Sequence, residues 1–427
     1  MGRPLQSLID DALAQTPPGR RVWVALSGGL DSSLLLTLTA AAAQRHPRPL
    51  YALHVHHGLQ PAADAFERHC RRLCAQLGVV LHVARVSVDL GAGQGREAAA
   101  REARYAAFAE HVARGETLWL AQHRDDQAET LLLAALRGSG VRGLGGMPAE
   151  RDWQGRSVAR PLLGIARATL AAEAQRCALA WVEDPSNSDA TLDRNFLRHA
   201  VLPLVASRWP QAGAALARSA ALAGEADVLL EELAALDLER LGGAAQRMPV
   251  APLAALSAPR QRLLIRHACR QLALPTPPAR RLETLLAQLG APHDGEVQVN
   301  WAGAQARIWR AHLYLLAPLA PPPRDWQAEW DGRAPLATPL GSVEASLGCA
   351  AGPPGRLSVA RRRGGERLCL PGRGRRDLKR LLQERGVPPW QRERLLVVWQ
   401  AGTPVAVLDP VTAAWQWLAE GWFSGGE

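Results

Sequence analysis

The chain has 427 residues, a net charge of +10, 48% apolar residues and six cysteines. This length suggests two to three domains of ~150 residues each. An apolar run long enough to cross a membrane, about 18 residues, does not occur, and the acidic N-terminal segment is unlike a signal peptide. The cysteines form no CxxC pair, which argues against a disulfide framework and against a zinc site of four thiolates. We predict a cytoplasmic protein without a membrane partner.

Residues 21–185 alternate apolar strands with helical stretches. The predicted strands are VWVAL (22–26), PLYALHVHH (49–57), VVLHVARV (79–86) and TLWLAQH (117–123), and the predicted helices begin at Ser32, cover 62–77 and 96–113, and begin again at Asp125. This alternation is typical of a parallel sheet with helices on both faces. We therefore predict an α/β domain over residues 1–209.

The composition changes twice in the second half of the chain. Residues 210–317 are rich in alanine and leucine, which predicts a helical domain that ends in a strand at 307–316. The proline-rich stretch APLAPPPRDW (317–326) opens a predicted linker over 318–344. A small α+β domain is predicted over 345–427. Its expected elements are strands near 357–362 and 395–408 and a helix over 377–385, which ends before Gly386 and Pro388.

The stretch ALSGGLDSS (25–33) lies between two apolar runs, which predicts a strand, a tight loop and a helix. Backbone N–H groups at such a loop suit an anion, and ligands of α/β sheets bind at the carboxyl ends of strands. Gly28 and Gly29 let the backbone approach a ligand closely. Asp31 would repel a phosphate unless Mg²⁺ bridges the two. Because Lys379 is the only lysine, a Walker-type loop is excluded.

A second polar group, HRDDQAET, begins at the end of the strand predicted over 117–123. Asp126 and Glu129 are three residues apart and therefore share one helical face. Two carboxylates near a phosphate loop can hold Mg²⁺ or orient a nucleophile. The alternative is that these acidic residues only favour a helix N-terminus. Gln122, which precedes this group, is assigned no role.

Two further motifs resemble sites that we do not predict. His54 and His56 share a strand face in LHVHHGL, but cysteines and carboxylates at ligand spacing are missing, so a site wall is favoured over a zinc site. GSGVRG (138–143) spells GxGxxG, but it follows a helix, whereas the dinucleotide fingerprint needs a preceding strand. We predict instead a mobile glycine-rich loop that carries Arg137 and Arg142 near a polyanionic substrate.

Positive charge is concentrated near the C-terminus. Residues 356–394 contain 13 Arg and Lys against 4 Asp and Glu, which leaves a net charge of +9. Such a block is typical of a surface that binds a polyanion, although a solvated basic surface has the same composition. Leu378, Leu381 and Leu382 are spaced as an apolar helix stripe, and the neighbouring Lys379 and Arg380 are expected on the other face.

SGGLDS resembles the pyrophosphate-binding loop of the N-type ATP pyrophosphatases, the PP-loop superfamily. Five further segments resemble the tRNA(Ile)-lysidine synthase family. They are LHVHHGLQPAAD, AQHRDDQAETLLLAALRGSGVRGLGGM, RPLLGIAR, WVEDPSNSDATLDRNFLRH and, near the C-terminus, RRRGGERLCLPGRGRRDLKRLLQERGVPPWQRERLLVVW. The resemblance spans nearly the whole chain and is weakest in the helical middle. It implies a PP-loop catalytic domain over 1–209, a helical tRNA-binding domain over 210–317 and a basic tRNA-binding domain over 345–427.

The resemblance implies an ATP-dependent C–N ligase. The C2 oxygen of the wobble cytidine in the CAU-anticodon isoleucine tRNA would attack the α-phosphate of ATP, and pyrophosphate would leave. The amine of free lysine would then attack C2, and AMP would leave to give lysidine. ATP and Mg²⁺ are the implied cofactors, tRNA and L-lysine are the implied partners, and a homodimer is the only protein assembly left open. A tRNA 2-thiolating enzyme and a non-catalytic RNA-binding protein remain as alternatives.

The resemblance also implies roles for residues of this sequence. The implied ATP site is Ser27, Gly28, Gly29, Leu30, Asp31 and Ser32, with Asp31 holding Mg²⁺ through ATP. The implied catalytic residues are Asp31, His123, Asp126, Glu129 and Arg194, and Arg194 would stabilise charge on the transferring group. Arg101 and Arg104 are secondary candidates beside the ATP site. The implied tRNA contacts are Arg375, Arg376, Lys379 and Arg380, which would bind phosphates.

Overall fold

A computed structural model describes residues 4–58, 63–88, 96–185, 189, 191–289, 297–318 and 320–425. Positions 59–62 and 186–188, which belong to two of the segments that carry the resemblance, lie outside the described residues, and so does the predicted helix start at residue 62. The chain divides into two compact units, Met1–Glu232 and Leu233–Glu427. None of the helices in the described ranges combines the length and the apolar character that crossing a membrane requires.

The first unit is built on one six-stranded sheet. Its helices and strands are α1 (Leu5–Gln15), β1 (Val22–Ala25), α2 (Leu30–Arg45), β2 (Leu50–His56), α3 (Ala63–Leu77), β3 (Val80–Arg85), α4 (Arg96–His111), β4 (Thr117–Trp119), α5 (Arg124–Leu136), α6 (Val141–Leu144), β5 (Glu150–Trp153), β6 (Arg156–Ala159), α7 (Arg167–Arg176), α8 (Asp193–Phe196), a π-helical turn (Leu197–Val201), α9 (Leu202–Arg208) and α10 (Ala212–Arg240). The division between the two units falls inside α10 rather than at the predicted boundary after residue 209.

The strand order of this sheet is β3-β2-β1-β4-β6-β5, and all pairings are parallel except that of β5 with β6. The predicted parallel α/β domain is therefore confirmed. β1 is apolar and nearly fully buried, as expected of a strand covered on both faces. The chain winds from β1 outward to β3 and then returns to β4 on the other side of β1. Such a switch point opens a crevice at the carboxyl ends of β1 and β4.

Two apolar layers cover this sheet. Leu34 and Leu35 of α2 pack with Leu170 of α7 on one face. On the other face, Phe108 of α4 packs with Leu118, next to β6 residue Val158. The helices thus enclose the sheet, and only its edges reach the solvent.

The second unit contains two regions with separate cores. The first region continues from the end of α10 with β7 (Arg247–Pro249), α11 (Val250–Ala254), α12 (Ala258–Gln271), α13 (Ala279–Leu289), β8 (Val297–Trp301), β9 (Ala304–Trp309) and β10 (His312–Leu316). The predicted helices are present, but the region also holds an antiparallel sheet of order β7-β10-β9-β8, of which the sequence predicted only the segment 307–316.

The second region holds most of the remaining strands. Its elements are β11 (Gln327–Trp330), β12 (Leu336–Thr338), β13 (Gly341–Val343), β14 (Leu347–Cys349), β15 (Leu357–Arg361), β16 (Arg367–Leu370), β17 (Gly374–Asp377), α14 (Leu378–Glu384), α15 (Pro389–Arg392), β18 (Leu396–Gln400), β19 (Thr403–Asp409), β20 (Ala414–Leu418) and β21 (Trp422–Ser424). A five-stranded sheet of order β11-β15-β18-β19-β20 forms its centre. The predicted linker 318–344 is wrong in part, because β11, β12 and β13 lie within it.

Two segments predicted as single strands are hairpins. Residues 307–316 turn at Arg310 and Ala311, and residues 395–408 turn at Ala401 and Gly402. All four turn residues have positive φ, between 45° and 79°. Two consecutive residues of positive φ are what a two-residue hairpin needs, and the usual sequence signal is Asn-Gly or Asp-Gly. Arg-Ala and Ala-Gly lack that signal, so the sequence alone does not show that each segment contains two strands.

Candidate active site at the carboxyl edge of the first sheet

Hydrogen bonds among Ser27, Gly29 and Ser32 fix the shape of the loop between β1 and α2. The hydroxyls of Ser27 and Ser32 lie 2.9 Å apart. The Ser32 hydroxyl accepts from the Ser27 N–H at 3.1 Å and donates to the Gly29 carbonyl at 3.1 Å. The Gly29 N–H donates to the Ser27 hydroxyl at 3.3 Å. The loop is therefore held by its own serines, ahead of the free N–H groups that begin α2.

Gly28 is the one residue of this loop whose conformation requires glycine. Its φ is +90°, and a Cβ placed there would lie 3.2 Å from the Cys70 sulfur and 3.3 Å from Cδ1 of Phe66. Both neighbours belong to α3, so the loop packs tightly against that helix. This close approach leaves room for a ligand only on the opposite, solvent side of the loop.

Asp31, in the first turn of α2, has an unsatisfied carboxylate oxygen. Its Oδ1 is buried and forms no hydrogen bond with the described residues, while Oδ2 lies 3.8 Å from Nε2 of His123. Burial raises the pKa of Asp31, and the nearby His123 and Arg167 oppose that rise. A buried carboxylate oxygen without a donor is costly, and a bound cation would remove that cost.

His123 is the N-cap of α5 and lies close to Asp31. The Asp126 N–H donates to Nδ1 of His123 at 3.4 Å, and the His123 N–H donates to Oδ2 of Asp126 at 3.0 Å, so the two residues form a capping box. Asp125 accepts from the Arg167 N–H at 2.8 Å and so caps α7. Asp126 therefore caps α5 whereas Asp125 caps α7, and the His123 imidazole lies near both Asp31 and Asp126.

Glu129 is fully buried and does not line the crevice. Its two oxygens accept from Nε of Arg194 at 2.8 Å and from Nε of Arg198 at 2.7 Å. Arg198 also donates to Oδ1 of Asp126 at 3.0 Å. The shared helical face of Asp126 and Glu129 is confirmed by this common partner. Glu129 thus positions two arginines, and Arg198, the second arginine of DRNFLRH, joins the preferred Arg194 at this site.

These carboxylates fit a magnesium ion only at Asp31. Both Asp125 and Asp126 use oxygens to cap helices, and Glu129 is neutralised by two arginines. Among the described residues, no group of three or more His, Cys, Asp or Glu side chains could hold a metal by itself. Mg²⁺ usually binds through one or two carboxylates together with substrate phosphates. The donor set therefore suits a magnesium ion that arrives with a polyphosphate.

The strand β2 and the residue that follows it supply three histidines at one side of this edge. Nδ1 of His54 lies 2.8 Å from the Leu26 carbonyl, and Nε2 of His56 lies 3.1 Å from Oδ1 of Asp64. Burial, together with the charge of Arg104, lowers the pKa of His57 to about 4. The His54 and His56 rings lie 6.4 Å apart, and a group of three or more His, Cys, Asp or Glu that could hold a metal is not found in the described part of the chain.

The glycine-rich segment after α5, predicted from the sequence to be a mobile loop carrying Arg137 and Arg142, contains the short helix α6 and contacts the rest of its unit. The side-chain amide of Gln127 donates to the Met147 carbonyl at 2.9 Å and accepts from the Met147 N–H at 2.8 Å. Arg142 in α6 lies 3.4 Å from both Asp227 and Glu231 of α10. Arg137 lies 3.7 Å from Asp193. Acidic neighbours on the same unit thus already face both arginines.

The basic block lies in the second unit, and its four predicted phosphate contacts are exposed. Arg375 and Arg376 belong to β17, and Lys379 and Arg380 belong to α14. None of the four forms an ion pair with a residue in the described ranges. Leu378, Leu381 and Leu382 are buried beneath them, as the apolar stripe predicted.

Comparisons with known proteins cover almost the entire chain. Residues 3–205 match the PP-loop domain, residues 248–314 match the TilS substrate binding domain, and residues 357–421 match the TilS substrate C-terminal domain. The tRNA(Ile)-lysidine synthase of Xanthomonas campestris pv. campestris (strain 8004) is 44% identical over 94% of this chain and 94% of its own.

Relatives from two other organisms give similar values. The tRNA(Ile)-lysidine synthase of Alkalilimnicola ehrlichii is 45% identical over 94% of this chain and 92% of its own, and that of Pseudomonas aeruginosa is 44% identical over 95% and 93%. Among solved structures, the U34-tRNA thiolase NcsA of Methanococcus maripaludis with its 4Fe-4S cluster covers 52% of this chain and 78% of its own at 15% identity, with a TM-score of 0.44.

Proposed function

This chain belongs to the tRNA(Ile)-lysidine synthase family, and we propose that the crevice between β1 and β4 catalyses that family's reaction. The enzyme is an ATP-dependent ligase that joins lysine to C2 of the wobble cytidine of the CAU-anticodon isoleucine tRNA. The cytidine oxygen attacks the α-phosphate and releases pyrophosphate. The ε-amine of lysine then attacks C2, AMP leaves with the former C2 oxygen, and the amine loses a proton.

The unsatisfied Oδ1 of Asp31 is the observation that supports the placement of ATP. The N–H groups at the start of α2 and the hydroxyls of Ser27 and Ser32 would bind the pyrophosphate part, and Asp31 would hold the Mg²⁺ that accompanies it. When bound, Mg²⁺ neutralises charge on the phosphate oxygens. Adenylation matters chemically because it converts a poor leaving oxygen into a good one.

His123, Asp126, Arg194 and Arg198 would act around the reacting phosphate. Arg194 is held by Glu129 and is partly exposed, so it can stabilise charge that develops on the transferred group. His123 lies between Asp31 and Asp126 and would accept or hold a proton near the cytidine. Glu129 is a positioning residue, since its carboxylate is fully buried.

A thiolation reaction on the same loop receives no support from the cysteines nearby. Cys70 packs against Gly28, but burial raises its pKa to about 12, and burial also raises the pKa of Cys74 to about 11. Both thiols would stay protonated near neutral pH, whereas the thiolate is the nucleophile and the metal ligand.

A pyrophosphate-release assay with the full chain tests the proposed function. ATP, Mg²⁺, L-lysine and the CAU-anticodon isoleucine tRNA should give pyrophosphate and a lysine-bearing tRNA, and the same tRNA with adenosine at the wobble position is the matched control. Release that does not depend on the wobble cytidine, or a product without lysine, would contradict the proposal. A cytoplasmic location and a homodimer stay predictions, to be tested by fractionation and by light scattering.

A further inference from the structure

Three arginines surround Tyr105 without an acidic partner. The Arg101 guanidinium of α4 lies 5.0 Å from the centre of the Tyr105 ring, and that of Arg151 in β5 lies 5.6 Å from it. Arg160, directly after β6, is only 4% exposed. Burial and the positive charges of Arg151 and Arg101 lower its pKa. Within the described ranges, no carboxylate forms an ion pair with any of the three.

Several donors of this arginine cluster (Arg101, Arg151, Arg160 and Tyr105) are unused. Nε of Arg151 and Nε of Arg160 are buried and have no hydrogen-bond partner among the described residues. The Tyr105 hydroxyl is also buried without a hydrogen bond of ordinary geometry, although the Arg160 guanidinium lies near it. Arg160 satisfies one nitrogen by donating to the Pro148 carbonyl at 2.8 Å. Buried, unpaired positive charge is strongly unfavourable, so these donors suit a bound anion.

The acidic residues of the β5–β6 hairpin do not neutralise this cluster. Glu150 accepts from the Ser157 hydroxyl at 2.5 Å, and Asp152 accepts from the Gly155 N–H at 3.2 Å. Both carboxylates therefore form these hydrogen bonds within the hairpin and not with the three arginines. The cluster keeps its full positive charge on the sheet face that α4 covers.

The cluster lies at the same edge of the sheet as the PP-loop. Arg160 continues β6, since its N–H donates to the Ala149 carbonyl at 2.7 Å, and β6, β4 and β1 are neighbouring parallel strands. Two strand spacings separate β6 from β1, roughly 10 Å. An extended lysine measures about 7–8 Å from its carboxyl carbon to its ε-amine, from bonds of ~1.5 Å. A lysine held at Arg160 could thus bring its amine close to a group at the loop.

We propose that the arginine cluster binds the α-carboxylate of the lysine substrate and directs the ε-amine towards the adenylated cytidine. The inference rests on the proposed function, because it names a site for that reaction's second substrate. The planar guanidinium fork matches a carboxylate in a bidentate pair. A phosphate of RNA is attached to a ribose and a base, so it needs an open surface. In the arginine cluster Arg160 is buried and Arg101 is the exposed arginine. The cluster therefore suits a small carboxylate better than an RNA phosphate.

A cycle of enzyme and substrate variants tests the lysine site. Arg151→Gln is compared with the parent on L-lysine and on cadaverine, which is lysine without its carboxylate, and kcat/KM is measured with the isoleucine tRNA. Removing one charge-assisted contact should raise the KM for lysine about 10- to 100-fold, and kcat/KM for cadaverine should stay at the parent's value. Arg160→Lys, which keeps the charge but loses the fork, is the second variant. Arg114→Gln, an exposed arginine at the other edge of the sheet, is the control.

Each alternative outcome of these measurements would lead to a different conclusion. Equal losses with lysine and cadaverine would overturn the inference, and so would a raised KM for tRNA with an unchanged KM for lysine, which would assign the cluster to RNA phosphate. The KM for ATP should not change in either variant. A parent enzyme that never consumes lysine would refute the proposed function itself, and this is seen before any variant is made.

Discussion

Asp31 and Glu129 are acidic residues of neighbouring helices, and their surroundings give them different roles. Asp31 keeps one buried oxygen without a donor, whereas Glu129 accepts from two arginines and has no free oxygen. A carboxylate with an unsatisfied oxygen attracts a cation, and a carboxylate saturated by guanidinium groups holds those groups in place. Two acidic side chains therefore differ in their surroundings: the Asp31 carboxylate suits the metal-ligand role that we propose, whereas the Glu129 carboxylate supports two arginines.

Asp31→Asn should abolish ATP-dependent turnover and leave the fold intact. The amide keeps the shape of the side chain but loses the charge that attracts Mg²⁺, which should cost several kcal/mol at the transition state, on the order of a 100-fold loss or more. Asp64→Asn, which removes an equal charge from an exposed carboxylate paired with His56, is the control and should keep the parent's rate. Near-normal pyrophosphate release by Asp31→Asn would refute the metal role.

His57 should remain neutral through the physiological range, because its pKa is lowered from 6.5 to about 4. Its folded-state pKa lies below the unfolded value, so the unfolded state binds the extra proton first. The contribution of His57 to stability is therefore present above pH 6.5 and is lost as the pH falls towards 4. An NMR titration of the imidazole resonance that disappears in His57→Gln measures this pKa. A midpoint near 6.5 would contradict the prediction.

At the scale of elements, the loop before α2 depends on its contact with α3. Two serine hydroxyls fix the loop from within, and Gly28 lets it pack against Cys70 and Phe66. The glycine-rich segment after α5 is fixed in a different way, by the two hydrogen bonds from Gln127 to Met147. Both connections are therefore held in place before a ligand arrives, which lowers the entropy lost when it binds.

Gly28→Ala should weaken ATP binding more than it weakens the fold. The new Cβ meets the Cys70 sulfur at 3.2 Å and forces a φ of +90° on an L residue, which costs of order 1–3 kcal/mol. Gly19→Ala is the matched control, because Gly19 has a φ of +75° and nothing within 4 Å of its Cβ position. Calorimetry with ATP and Mg²⁺ should show weaker binding in Gly28→Ala only. Equal affinities for the two variants would mean that the packing against α3 is unimportant.

At the scale of the whole molecule, charge is divided unequally between the two units. Residues 356–394 alone carry a net charge of +9 out of +10, and the four arginine and lysine residues around β17 and α14 are exposed. Several arginines of the first unit already pair with acids, such as Arg142 with two acids and Arg198 with Asp126 and Glu129. Nonspecific attraction of a polyanion should therefore come from the second unit.

Replacing Arg375, Arg376, Lys379 and Arg380 together by glutamine should raise the KM for tRNA and spare the KM for ATP. Each phosphate contact that is lost should reduce the salt dependence of tRNA binding by roughly one unit of slope. The control changes the three arginines to lysine, which keeps the charge and should bind as the parent does. If the glutamine variant matches the parent across a salt titration, this surface does not contact tRNA.

The sequence by itself determined the elements whose signals are local. The alternation of apolar strands and helices, the SGGLDS loop, the helix start at Asp125 and the apolar stripe on α14 all follow from neighbouring residues, and the structure contains each of them. The turns at Arg310 and Ala401 escaped because their residues carry no turn signal and take positive φ only within the paired strands. Local chemistry therefore fixes where helices and strands begin more often than where strands reverse.

Only the tertiary structure decided what each charged residue does. Asp126 and Glu129 look equivalent in the sequence. In the structure, Arg194 and Arg198, more than 60 residues later, both donate to Glu129. One carboxylate oxygen of Asp31, in contrast, has no donor among the described residues. The three arginines around Tyr105 come from α4, β5 and the end of β6 and are also distant in sequence. Burial and pairing depend on contacts between remote segments, so the role of a charge cannot be read from its neighbours along the chain.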